Sequence, residues 1–155
     1  MYQRILTVCT GNLCRSPLAQ AMLRVQLAAD GRDDAQVLSA GVRAAADRPV
    51  DDAVLFVARA QPALLAPLRA HRAQQLTPAL TWWADLILVM EPAHVQRVLK
   101  IDPASANKIQ PLGRWTGRRT IADPHLKHEA LYREVHAQIE QAVQSWRETI
   151  NRPGR

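Results

Sequence analysis

The sequence predicts an α/β fold, a single domain with a doubly wound, four-stranded parallel sheet and helices on both faces. Three observations predict it. Short, β-branched apolar runs bounded by turn residues alternate with segments whose apolar residues recur at helical spacing. Such strand–helix alternation places successive strands parallel, joined by helical crossovers. The 155 residues suit one ordinary domain, and no repeat, low-complexity run or linker divides them, so the domain is expected to span residues 1–155.

Taken in order, Arg4 to Cys9 (RILTVC) reads as a buried strand ending in a glycine-containing turn. After Pro17, residues Leu18, Ala21, Met22, Val25 and Ala29 define a helix, and Gly31 supplies its stop. Val37 to Ala40 is the second strand, closed by Gly41. Pro49 to Asp52 turns into a helix covering about Asp52 to Ala60, and a short helix follows around Pro62 to Arg69. Asp85 to Met90 (DLILVM) is the third strand, and Pro92 opens a helix through about Leu99. Lys108 to Leu112 is the fourth strand, stopped near its proline. From Asp123 onward, Leu126, Leu131, Val135, Ile139, Val143, Trp146 and Ile150 mark a long amphipathic helix. In open α/β sheets ligands gather beyond the carboxyl ends of the strands, and Cys9 falls at one such end.

Composition narrows the function classes. With 48% hydrophobic and 22% charged residues the chain can bury a core without covalent staples. Its two cysteines lie only five positions apart, which excludes a disulfide-framed scaffold. Apolar runs such as Leu86 to Met90 are far too short to span a bilayer, and the N-terminus lacks a signal-peptide pattern. A cytoplasmic setting without membrane insertion is the expectation, as a monomer or weak dimer. The net charge of +6 is compatible with nucleic acid, an anionic membrane face or a small anionic substrate. Basic residues scattered from Arg4 to Arg155, 5% aromatics and no zinc-ligand spacing argue against nucleic acid. Trp82, Trp83, Trp115 and Trp146 read as core or rim packing.

The chemistry concentrates in Cys9-Thr10-Gly11-Asn12-Leu13-Cys14-Arg15-Ser16-Pro17, between the first strand and the first helix. A loop at that place can wrap its backbone N–H groups around one anion, aided by the helix dipole. Gly11 and Asn12 tolerate the positive φ that a tight curl requires, and Pro17 suits a first helical position. Arg15 can grip two phosphate oxygens with its planar fork, and its charge favours an ionised thiol at Cys9. A thiolate beneath a bound phosphoryl group is placed for in-line attack. The alternative is a small buried cysteine at a strand end beside a solvated arginine.

The pattern C-x5-R-S-P at residues 9–17 resembles the signature of the low-molecular-weight protein tyrosine phosphatases. Ser39-Ala40-Gly41, the His71 to Thr77 stretch, Met90-Glu91 and Asp123-Pro124 extend the likeness in order over nearly the whole chain. Leu112-Gly113-Arg114-Trp115 and the C-terminal helix are most similar to bacterial members, which act on tyrosine kinases governing exopolysaccharide or capsule production. The resemblance implies a phosphotyrosine protein as substrate, such a kinase as partner, and no metal or cofactor. It implies Cys9 as nucleophile, Arg15 and the loop amides of Thr10, Gly11, Asn12, Leu13 and Cys14 as phosphate binders, and Asp123 as general acid. Ser16 would hydrogen-bond the thiolate, with Asn12 and His71 supporting the loop from beneath. A reversible Cys9–Cys14 disulfide is a family property; a filler role for Cys14 is equally open.

Asp123 before Pro124 also has the form of a plain helix N-cap, and the two roles can coexist. Where relatives often carry Tyr after the acid, this chain has His125, at a helix N-terminus whose dipole disfavours its protonated form. Where eukaryotic relatives place an aromatic wall, it has Val42 and Ala44-Ala45-Ala46, so His125 and Ala45 are expected to border a wider, less aromatic cleft. Gln74 stands where many relatives have Arg. Two other functions suit the same loop. A thiol-dependent arsenate reductase would need relay cysteines after Cys14, and none follows. A cysteine phosphocarrier would need neither the Arg15-Ser16 pair nor Asp123.

Overall fold

Four parallel strands form the sheet: β1 Arg4–Cys9, β2 Gln36–Gly41, β3 Leu86–Val89 and β4 Ile109–Pro111. Their spatial order is β2-β1-β3-β4, so the chain winds outward from β1 first to one side and then to the other. Register pairs Cys9 with Gly41 and Val8 with Val89, which puts the ends of β1 and its neighbours at one level. The computed structural model describes residues 1–153; Gly154 and Arg155, the last two of the predicted domain, lie outside the described residues.

Strand alternation divides the apolar residues between two cores. Ile5, Val37, Leu86 and Leu88 face a larger core shared with α1 (Arg15–Ala29), α2 (Asp52–Ala58), α3 (Leu65–Ala70) and α6 (Glu129–Ser145). Leu6, Val8, Ala40, Ile87 and Val89 face a smaller core covered by α4 (Pro78–Trp83) and α5 (Pro92–Ile101). Trp146 closes the larger core: its ring is buried and its Nε1 donates to the Leu112 carbonyl at 2.7 Å. Arg147, in the short α7 (Arg147–Asn151), pairs with Asp30 just past the end of α1. Trp82 and Trp115 are exposed, so of the four tryptophans Trp146 supplies most of the packing.

Helix boundaries carry the main corrections. The long C-terminal helix begins at Glu129, not Asp123, and ends at Ser145, with Ile150 falling in the separate α7. Leu126 adopts φ 59°, which a helix does not allow, and His128 becomes the cap, its Nδ1 accepting from the Leu131 amide. Asp123 to Lys127 instead form a tight turn, closed by Lys127 N–H donating to the Pro124 carbonyl. The first helix starts two residues before Pro17, which therefore sits in the first turn, where no N–H partner is needed. The unanticipated α4 had its signals in place: Thr77 accepts from the Leu80 amide, and Pro78 occupies the first turn. As expected, Gly31 ends α1 in the left-handed region, φ 69°.

Beyond β2 the chain presses against the β1–α1 loop without side chains between them. A Cβ on Gly41 would lie 2.5 Å from the Thr10 carbonyl oxygen and 3.1 Å from the Asn12 nitrogen. These are backbone atoms and cannot swing aside. Gly41→Ala is expected to cost about 1–3 kcal/mol through overpacking, measured as a fall in the chemical-denaturation midpoint. An unchanged midpoint would show that the loop yields freely.

Candidate active site

The loop after β1 is held by its carbonyls. Those of Cys9, Thr10, Gly11 and Leu13 accept from the amides of Val42, Arg43, Ala45 and Asp51 at 2.9–3.2 Å. The Asn12 carbonyl accepts from His71 Nε2 at 2.8 Å, and that of Cys14 from the Leu18 amide at 3.2 Å. Among the described residues, the amides of 11–14 donate to none of these outward partners. With every carbonyl turned out, the N–H groups turn inward and make an anion-binding concavity at the start of α1. Asn12 takes the positive φ (60°) that the curl needs, whereas Gly11 does not.

Asn12 is also the keystone beneath the loop, fully buried. Its Nδ2 donates to Ser16 Oγ at 2.8 Å and to Ser39 Oγ at 2.9 Å, and its Oδ1 accepts from the Gln74 amide. Ser39 Oγ in turn donates to Gln20 Oε1 at 2.7 Å. Ser16 Oγ stands 2.9 Å from Cys9 Sγ and, accepting from Asn12, has its hydrogen free for the sulfur. Burial holds the His71 imidazole below its ordinary pKa, which suits a neutral ring donating to the Asn12 carbonyl.

Arg15 is 1% exposed. Its Nη1 donates to the Ile121 carbonyl at 2.8 Å, and its Nη2 lies 3.4 Å from both Thr10 Oγ1 and Asp123 Oδ2. Glu91 flanks it at 3.7 Å. The Nε, equally buried, has no hydrogen-bond partner among the described residues. A buried guanidinium N–H left without a partner beside these amides is a donor that an anion could satisfy.

A cleft of about 380 Å³ opens above Cys9, bordered by Leu13, Arg43, Ala45, Arg48, Asp123 and His125. Asp123 is held by its own turn, with Oδ1 accepting from the His125 amide at 3.1 Å. It therefore caps a tight turn rather than α6, and its Oδ2 remains turned toward Arg15 and the cleft. His125 likewise does not sit at a helix N-terminus. Its Nδ1 lies 2.6 Å from Asp51 Oδ2.

Two groups escaped sequence reasoning. Asp51 Oδ2 receives the Cys14 thiol at 2.7 Å and the Tyr132 hydroxyl at 3.0 Å, in addition to His125. Burial works to raise the Asp51 pKa, but the three donors outweigh it and hold the carboxyl below its usual range. Burial and the Asp51 carboxylate together push the Cys14 thiol far up. Both cysteines are free and buried. The second group is His94, 1% exposed, whose Nδ1 accepts from the Met90 amide and whose Nε2 lies 2.9 Å from Thr10 Oγ1. Burial and the Arg15 cation lower its pKa to about 4. Neither Asp51 nor His94 lies in a local motif; only the folded sheet brings them to the loop.

The sequence and the fold are matched in known proteins. Residues 4–155 fit the family model described as low molecular weight phosphotyrosine protein phosphatase. The probable low molecular weight protein-tyrosine-phosphatase AmsI of Erwinia amylovora is 34% identical over 98% of this chain and 100% of its own length. EpsP of Ralstonia nicotianae, a probable enzyme of the same kind, is 38% identical over 94% of each chain. The crystal structure of the tyrosine phosphatase Wzb from Escherichia coli K30 in complex with sulphate superposes with a TM-score of 0.88 at 33% identity, covering 97% of this chain and 100% of that one. With the family model, these relatives and the fold in agreement along the chain, it belongs to the low molecular weight protein tyrosine phosphatases, hydrolases of phosphoric monoesters.

Proposed function

We propose that this chain removes phosphate from tyrosines of a protein through a phosphocysteine on Cys9, and that its physiological partner is a bacterial tyrosine kinase linked to exopolysaccharide production. The observation that carries the site assignment is the buried Nε of Arg15, without a partner among the described residues, beside the loop whose carbonyls from Cys9 onward are anchored outward. Action on phosphotyrosine is supported by the likeness to AmsI and EpsP, probable protein-tyrosine-phosphatases, and the choice of a kinase as partner follows from the resemblance to bacterial members. Arg43 and Arg48 at the cleft rim suit acidic residues beside the phosphotyrosine.

In the first step the Cys9 thiolate attacks phosphorus in line, the S–P bond forms and the P–O bond to the phenol breaks. Asp123, protonated, gives its proton to the leaving oxygen. The loop amides and Arg15 hold the three equatorial oxygens while charge builds on them. In the second step Asp123, now a carboxylate, takes a proton from water as the water oxygen bonds phosphorus. Cys9 leaves as a thiolate, received by the Ser16 hydroxyl.

His94 sharpens the binding of phosphate through Thr10. Because its Nδ1 accepts from the Met90 amide, its Nε2 carries the hydrogen and donates to Thr10 Oγ1. Thr10 Oγ1 also faces Arg15 Nη2, so its lone pairs are engaged and its own hydrogen is left for the anion.

Cys9→Ser should abolish turnover of aryl phosphates without added metal. Asp123→Asn should lower kcat roughly 10²–10⁴-fold for phenyl phosphate but far less for esters of acidic phenols, which need no proton. Equal losses on both esters would remove Asp123 from the acid role. His94 predicts an acid sensitivity. The unfolded imidazole takes its proton near 6.5, but the folded one only near 4. Above pH 6.5 neither state is charged and there is no effect. As pH falls below that, the unfolded chain binds more protons, and stability drops by a total on the order of 3 kcal/mol once both states are protonated. Urea midpoints at pH 7 and pH 5 should therefore fall further apart in the wild type than in His94→Asn. Equal differences would contradict the assignment.

A further inference from the structure

Three donor atoms of different chemistry converge at one edge of the cleft. Cys14 Sγ, an Asp51 carboxylate oxygen and a ring nitrogen of His125 all lie within 4.8 Å of one another. Cys14 Sγ is 2.7 Å from Asp51 Oδ2, and His125 Nδ1 is 2.6 Å from the same oxygen. We propose that Cys14, Asp51 and His125 form a binding site for one zinc-class divalent cation at the rim of the phosphate cleft.

The donor set selects the ion. One thiolate, one imidazole and one carboxylate are the ligands of tetrahedral zinc sites, whereas magnesium and calcium require oxygen alone. Thiolate and carboxylate supply two negative charges, matching a divalent cation. The contacts seen here are hydrogen bonds, and metal–ligand bonds of about 2.0–2.3 Å set donors roughly 3–4 Å apart. Both contacts of Asp51 Oδ2 must therefore open by about 1 Å: His125, on the turn before α6 and with its side chain 31% exposed, can draw back on its side, and a turn of the Asp51 carboxylate is needed to part it from Cys14. Binding breaks the Cys14 S–H bond, and its proton passes to solvent as the sulfur–metal bond forms. No electron is exchanged. The Tyr132 hydroxyl, 3.0 Å from Asp51 Oδ2, orients the carboxylate as outer partners of metal ligands do. Three protein ligands leave the fourth position open to water or to an oxygen of a bound phosphate. Because His125 stands directly after Pro124 and Asp123, the cation would tie the turn carrying Asp123 to the loop carrying Cys9.

The test must separate this site from Cys9, a second free cysteine beside the same cleft, and must not depend on turnover. Cys9→Ser serves both ends. Titrated with Co²⁺, it should show a thiolate-to-cobalt charge-transfer band that saturates at one equivalent. Zn²⁺ should displace the band, and millimolar Mg²⁺ should leave it intact. The band should vanish in Cys9→Ser/Cys14→Ser, and affinity should fall at least tenfold in Cys9→Ser/His125→Ala. In the same Cys9→Ser protein, Zn²⁺ should slow alkylation of Cys14 at least tenfold, read by mass spectrometry, so the result does not hang on the folding of a double variant. Absence of the band in Cys9→Ser, or its survival without Cys14 or at full affinity without His125, would overturn the proposal. So would alkylation indifferent to Zn²⁺.

Discussion

The outward anchoring of six successive carbonyls, Cys9 to Cys14, is the constraint on which the rest of the site depends. An isolated loop would leave its carbonyls to water and its amides in any direction. Here the segment from Val42 to Asp51 offers four amides to the loop, and His71 and α1 supply the others. The peptide planes are thereby rotated so that the N–H groups share one focus, with the cost of ordering them met during folding. Arg15 and Ser16 join the same focus because they begin the helix that follows.

The parts of this arrangement that were legible in the sequence are those governed by neighbours along the chain. Apolar runs identified all four strands to within about two residues, most plainly the central β1 and β3, which are buried almost throughout. Cys9, Asn12, Arg15 and Ser16 could be placed together because one turn holds them. The curl was assigned to Gly11 and Asn12, and only Asn12 needed the left-handed region. The helix start at Asp123 failed for a physical reason: the acid-then-proline pattern is shared by an N-cap and by the turn that forms here. Leucine at 126 gives no warning that it will take a positive φ.

What the sequence hid are long-range polar partners. Asp51 reads locally as a residue before a helix, yet its carboxylate gathers donors from positions 14, 125 and 132. His94 falls on the buried side of an ordinary amphipathic helix, and only the pairing of β1 with β3 brings it beside Thr10. The exchange of an aromatic residue for His125 likewise had a consequence that no spacing rule supplies. The imidazole still borders the cleft, but it is held there by its contact with Asp51.

Gly41 has a bearing on how the protein tolerates change. The end of β2 and the loop meet main chain to main chain, with no side chain acting as a spacer. The height of the anion ring above the sheet is therefore an invariant of peptide geometry, not of which hydrophobic residues fill either core. Drift among Leu, Ile, Val and Met in those cores can alter how hard the protein is to unfold while leaving the ring where it is. Robustness of the fold and fidelity of the chemistry are, to that extent, free to vary separately.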